Sequence, residues 1–185
     1  LEFRRVLFRS TIAPERRHFQ HRVFGQASLA YSGRCFDPMS IAIPTRAEID
    51  AAAERLREHV RRTPILEVRG HDLGLGIDSV ILKLELLQHT GSFKPRGAYN
   101  RILATEVPAA GLIAASGGNH AQAVAHAGTR LGIPTEIFVP ETIPAIKLAR
   151  LRQYAAAVRL VGEYYDEARE ASEVRAAETG ALVVH

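Results

Sequence analysis

The sequence predicts an α/β fold, an open parallel sheet with helices on both faces. Three observations carry that reading. Beyond residue 110 short apolar runs alternate one for one with stretches of helical period, the intervening loops are short, and glycine or proline marks most boundaries. Strands linked through single helices run parallel with right-handed crossovers, and their apolar runs need cover on both sides.

Taken in order, Thr45-Arg46-Ala47-Glu48 is a capping box, and Ile49, Ala52, Ala53, Leu56 and Val60 repeat at helical spacing to about Arg61. Thr63-Pro64 ends that helix. Ile65 to Val68 reads as a short strand, glycines 70, 74 and 76 as a turn region, and Ser79 to Leu87 as a second strand with Lys83 and Glu85 opposite Leu82, Leu84 and Leu86. A helix follows Lys94. Leu112 to Ala115 is a strand, Asn119 to Leu131 a helix broken by Gly132-Ile133-Pro134, and Thr135 to Val139 a strand. Pro144 opens a helix to about Tyr154, Ala157 to Val161 is a strand, Tyr165 to Thr179 a helix and Ala181 to Val184 a strand. Residues 39–110 and 111–185 are expected to be two parts of the fold.

The charge of +4 invites a nucleic-acid reading, and its distribution removes it. Residues 1–38 carry seven arginines against three acidic side chains (7 − 3 = +4), whereas residues 39–185 carry seventeen of each sign. No basic stripe is left to follow a phosphate backbone. No apolar run is long enough to span a membrane. The single cysteine, Cys35, allows no internal disulfide or cysteine metal site and fits a reducing, cytoplasmic setting. Residues 1–38 show neither helical nor strand period and lack the apolar core of a signal peptide. Leu1 to Ser10 looks like the translation of a sequencing-adapter end, residues 11–38 like upstream sequence read in frame, and Met39 like the start. An amphipathic import segment is the alternative. The leader is expected to be disordered and outside the fold.

From Met39 onward the chain has fourteen arginines and only three lysines, Lys83, Lys94 and Lys147. Lys94 sits in Thr90-Gly91-Ser92-Phe93-Lys94-Pro95-Arg96-Gly97-Ala98, ahead of a helical pattern. An amine can lose its proton and attack a carbonyl; a guanidinium cannot. Ser92 is expected to cap that helix, with Pro95 in its first turn pushing Lys94 out of the α region to the helix mouth. The positive end of the helix disfavours an ammonium there. Phe93 offers a flat face for an aromatic cofactor. The plain alternative is a capped helix with a surface lysine.

In open α/β sheets ligands bind beyond the carboxyl ends of the strands. The loop after the Leu112 strand reads Ser116-Gly117-Gly118-Asn119-His120. Two glycines let N–H groups converge on an anion, and a hydroxyl, an amide and an imidazole stand on the same turn. Asn119 with Gln122 is also readable as a capping box, and the two readings are compatible. No Gly-x-Gly-x-x-Gly suggests a dinucleotide, no Gly-x-Ser-x-Gly elbow surrounds Ser116, and His89, His126 and His185 show no metal-ligand spacing, so no metal site is expected.

With both loops in hand, the chain from about Ile43 to His185 resembles the pyridoxal-phosphate enzymes of the tryptophan synthase β-like fold, specifically the serine/threonine dehydratases (threonine ammonia-lyases). Arg62-Thr63-Pro64, Lys83-Leu84-Glu85, Thr90 to Lys94 with Arg96-Gly97-Ala98, Ser116 to His120, and Phe138-Val139-Pro140 carry it. The resemblance implies pyridoxal 5′-phosphate bound as an internal aldimine on Lys94, with Phe93 packed on its ring and Asn119 bonded to its 3′-oxygen. It implies that Ser116, Gly117 and His120 hold the substrate carboxylate, with Ser116 near the reacting face. The implied reaction takes serine or threonine through an aminoacrylate to a 2-oxo acid and ammonia, with Lys94 as the Cα base. It also implies that residues 39–110 begin the large domain, that 111–185 form the small domain, and that the complete protein is a homodimer. Pro95 stands where cysteine synthases usually carry Asp. The family's downstream phosphate-cradling loop does not appear in the 185 residues, so the chain by itself is expected to be an inactive fragment that cannot hold the cofactor tightly. Two alternatives stand beside the dehydratase: an amino-acid racemase of the same fold, and a non-catalytic amino-acid-binding module in which Lys94 is structural.

Overall fold

The computed structural model describes residues 43–154 and 156–185. The expectations for residues 1–38, for Cys35 and for a start at Met39 lie outside the described residues. Ile43–His185 forms one compact unit.

The first helix, α1 (Arg46–Leu56), starts as its sequence dictates. The Glu48 N–H donates to the Thr45 hydroxyl at 3.3 Å, and the Glu48 carboxylate accepts from the Thr45 N–H at 2.7 Å. The helix stops at Leu56 rather than Arg61. Leu56 is the one residue of α1 that is fully buried, and the chain turns there through a His59 N–H to Leu56 carbonyl bond of 2.9 Å.

Two strands, β1 (Ile65–Arg69) and β2 (Ser79–Lys83), pair antiparallel with Ile65 opposite Lys83 and Arg69 opposite Ser79. They form a two-stranded sheet of their own. The strand expected to reach Leu87 therefore ends four residues early, and Glu85–Leu87 is a 3-10 turn. A tertiary ion pair overrides the local pattern. Glu85 accepts from Arg96 Nε at 2.9 Å and Nη2 at 2.8 Å, and from the Thr63 hydroxyl at 2.5 Å. The Arg96 hydrogen bonds, opposed by burial and helped by Thr63, hold the Glu85 carboxyl down at about 2.

The expected parallel sheet is present. Strands β3 (Leu112–Ala115), β4 (Thr135–Val139), β5 (Ala157–Leu160) and β6 (Leu182–Val183) lie in the order β5-β4-β3-β6, every neighbouring pair parallel. Side chains alternate between faces. Leu112, Ala114, Ile137 and Val139 join one core with residues of α2 (Lys94–Leu103), α3 (Asn119–Leu131) and α4 (Ala145–Arg152). Ile113 and Phe138 join the other core with α5 (Tyr165–Thr179). The order reverses at β3: the chain moves outward to β4 and β5, then crosses back to lay β6 on the far side of β3. That reversal explains why α5 covers the opposite face. It also creates a crevice at the carboxyl ends of β3 and β6, where such sheets bind ligands.

Candidate active site

Both loops singled out in the sequence reach this crevice. Lys94 is the first residue of α2 and is half-buried. Two local expectations are corrected. Phe93, not Ser92, precedes the helix; it already has α geometry (φ −69, ψ −13), and the Arg96 N–H donates to its carbonyl at 3.0 Å. The chain therefore enters the helix before the lysine, and the extended bias set by Pro95 is overridden. Ser92 Oγ is buried with no hydrogen-bond partner among the described residues, so it does not cap the helix.

Upstream of the lysine the chain makes a 3-10 turn, His89–Gly91, in which Thr90 has φ 63 and Gly91 φ 74. A β-branched residue in that region is strained by about 1–3 kcal/mol and needs its surroundings to hold it. Gln88 does part of this. Its buried amide donates to the Arg61 carbonyl at 2.8 Å and accepts from the Arg61 and His89 N–H groups at 3.0 Å each. Nothing in the local pattern around Gln88 announces this bridge to Arg61.

The Ser116 to His120 loop leaves the end of β3, where the Ser116 N–H donates to the Phe138 carbonyl at 3.1 Å. Gly118, not Asn119, is the N-cap of α3. The Asn119–Gln122 capping box is therefore not formed, because Gln122 stands one position too far along: its N–H makes the first helical bond, to Gly118, at 3.3 Å. Gln122 Oε1 is buried and has no hydrogen-bond partner among the described residues. The Ser116 hydroxyl accepts from the Gly118 N–H at 3.2 Å. The N–H groups of the first helical turn, Asn119 to Ala121, have no helical acceptor and face out from its positive end. His120 Nε2 lies 2.9 Å from the Val184 carbonyl oxygen. A carbonyl only accepts, so Nε2 carries the proton, and the residue just past β6 fixes the ring orientation.

The structure brings Phe93, Lys94, Gly97, Ala98, His120 and His185 around one cavity of about 210 Å³. Lys94 Nζ lies over the Phe93 ring, 5.2 Å from its centroid. Asn119 does not line this cavity. It stands on a separate hollow of about 590 Å³ with Gln122, Lys147 and Arg150. Ser116 and Gly117 line neither hollow; Ile143 packs where a side chain at 117 would point. A larger hollow of about 620 Å³ opens on the α5 face between Phe138, Leu160 and Val174. It holds no nucleophile, and its Glu136 is taken up by Arg159 at 3.0 Å and Arg175 at 3.1 Å. The smaller cavity is the one that joins an amine, Lys94, to an imidazole, His120. In the sequence His185 is only a histidine without metal spacing; β6 delivers it to the site. Among the described residues no cluster of three or more His, Cys, Asp or Glu is placed to hold a metal ion, and no helix is long and apolar enough to cross a membrane.

An amine at a helix mouth beside an aromatic face, opposite a turn rich in free donors, suits an aldehyde-bearing aromatic ring with anionic substituents. The buried Ser92 hydroxyl, two residues before the lysine, is a further polar atom without a partner among the described residues. These residues fit pyridoxal phosphate. The comparisons agree: a family model described as pyridoxal-phosphate dependent enzyme matches residues 56–185, and the chain belongs to that family. An L-threonine ammonia-lyase of Geobacter sulfurreducens is 44% identical over 139 residues, which are 74% of this chain and 34% of the relative. The crystal structure of a T.th. threonine deaminase superposes with a TM-score of 0.68 at 41% identity, covering 77% of this chain and 45% of that one. A maize serine racemase superposes with a TM-score of 0.67 at 33% identity, over 74% and 42% of the two chains. The chain thus spans less than half the length of each. The fold expected from the sequence is the fold found.

Proposed function

We propose that the gene product carrying this sequence is a pyridoxal-phosphate-dependent lyase that converts serine or threonine to a 2-oxo acid and ammonia. The observation that carries the reading is the shared cavity of Lys94 and His120 at the point where the strand order reverses. The threonine ammonia-lyase and threonine deaminase relatives support the substrate class.

In this reading Lys94 anchors the cofactor and its amine takes the Cα proton, which requires the neutral form. Phe93 packs on the cofactor ring. Ser116, Gly117 and the imidazole of His120 hold the substrate carboxylate, His120 being kept in register by its bond to Val184. Asn119, which lines the neighbouring hollow, would have to turn toward the Lys94 cavity to meet the cofactor 3′-oxygen. The bound cofactor would supply the electron sink that makes loss of the Cα proton and of the β-hydroxyl feasible. Residues 39–110 begin the large domain, residues 111–185 form the small one, and the complete protein is a cytoplasmic homodimer.

A racemase is the second reading, favoured by the maize serine racemase match and by Ser116, which stands on the opposite turn as a second proton donor. Incubating the full gene product with L-serine and L-threonine separates the two. A lyase releases 2-oxo acid in excess of any D-enantiomer. Enantiomer formation without 2-oxo acid assigns the racemase, and neither product, with amino-acid binding retained, assigns a non-catalytic module.

A further inference from the structure

The strained turn ahead of Lys94 is held from one side by Gln88, and on its other side by a stack of rings that the proposed chemistry does not use. The His89 ring lies face to face with that of His126, with centroids 4.8 Å apart and planes 23° apart. His126 Nδ1 shares a hydrogen bond of 3.2 Å with the Tyr99 hydroxyl. The Tyr99 and Tyr154 rings meet His126 edge-on at 5.9 and 5.7 Å, and His59 stacks on the back of Tyr99 at 5.3 Å. His89 belongs to the lysine turn, Tyr99 to α2 and His126 to α3. The same α3 carries the donor turn at its N-terminus, seven residues or about 10 Å upstream of His126.

We infer that His126 is a positioning residue for Lys94: its ring, stacked on His89, clamps the left-handed turn that presents the lysine and references it to the helix bearing the donor loop. The clamp rests on the reading of Lys94 as the cofactor lysine for its purpose, and on geometry alone for its existence. A non-glycine residue at φ 63 persists only where the surroundings over-determine it. Among the described residues, His89 supplies the one ring of that turn, and His126 is what it meets.

Two stacked imidazolium rings repel, so this stack holds while at most one of its rings is charged. Burial first, then the charges of His89, Arg130 and Arg61, push His126 down to about 4, and burial with Arg61 and Arg130 lowers His89 as well. The sign follows from the depressed value. The stabilisation is fully present above the ordinary histidine range near 6.5, and it is lost as pH falls through about 4. An imidazolium at His126 would then face His89, Arg61 and Arg130 with no carboxylate among the groups acting on it. The clamp is closed at neutral pH and opens in acid.

The test compares His126→Ala, His126→Phe and His89→Ala with the parent protein, each checked for cooperative thermal unfolding. Two readouts need no cofactor. One is the acylation of Lys94 relative to Lys83 and Lys147 at pH 7, mapped by mass spectrometry. The other is exchange protection of the Gly91 amide, which donates to the Gln88 carbonyl at 2.9 Å. Both alanine variants should raise the Lys94 ratio severalfold and strip the Gly91 protection, while phenylalanine, which stacks without titrating, preserves both. The parent should lose Gly91 protection as pH falls to about 4, and His126→Phe should keep it. Parental ratio and protection in either folded alanine variant would overturn the inference. Failure of the cofactor to attach to Lys94 would instead strike the proposed function and leave these readouts standing.

Discussion

Lys94→Ala in the gene product carrying this sequence is expected to abolish 2-oxo acid formation, a loss of at least roughly 10²–10⁴-fold for the missing base alone. Thermal stability should hardly change, since the side chain is half-buried and its amine is placed over the Phe93 ring rather than in the core. Lys94→Arg should be as inactive, because a guanidinium stays protonated and cannot attack an aldehyde. Steady-state turnover, read beside a melting curve, checks both halves. Turnover within tenfold of the parent in Lys94→Ala would move the chemistry to another residue.

The second large effect lies in the scaffold. Gly111 enters β3 at φ 86, pinned where the Leu182 N–H donates to its carbonyl at 2.9 Å and the next residue's N–H donates to Pro134 at 2.8 Å. A Cβ at 111 would overlap the Pro134 carbonyl oxygen, a backbone atom that cannot rotate away. Gly111→Ala should therefore cost about 2–5 kcal/mol, the sum of left-handed strain and overpacking. Gly132 supplies the control. It has φ 68 at the end of α3, with nothing within 4 Å of where its Cβ would be, so Gly132→Ala should show only the backbone part, about 1–2 kcal/mol. Denaturant unfolding of the two variants isolates the overlap; equal losses would mean that the approach of Pro134 to Gly111 relaxes freely.

The contrast between these glycines shows what the sequence displays and what it hides. Gly132 was legible, because Gly-Ile-Pro after a helical period is a stop signal. The same local punctuation placed β3, α3, β4 and α5 at their observed bounds. Gly111 was not, since its requirement comes from Pro134, a neighbour in the sheet rather than in the chain. A tertiary partner explains one element that differs from its local pattern, and adjacent residues explain two others. The second strand ended at Lys83 because Arg96 and Thr63 draw Glu85 out of the extended pattern. Asn119 lost its capping role because Gly118 was available to turn first, and Ser92 lost its role because Phe93 already has helical geometry.

The site was half legible. Lys94, Phe93 and the Ser116 to His120 loop stand out through residue type, because an isolated lysine in an arginine-rich chain and a double glycine after a strand are local signals. That Lys94 shares its cavity with His120 and His185 rather than with Asn119 depends on β6 returning beside β3, and hence on topology. The histidine stack joins residues 27 and more positions apart and is invisible at short range.

In the proposed reaction every step depends on Lys94 carrying the cofactor. Its most direct test is to load the gene product with pyridoxal phosphate, reduce with borohydride and map the adduct by peptide mass spectrometry. Lys83, Lys94 and Lys147 are the three lysines of the sequence, so the assignment is unambiguous. A phosphopyridoxyl group on Lys94 and on neither of the others is the predicted result. An adduct on Lys83 or Lys147, or a protein left unmodified at Lys94, would contradict it.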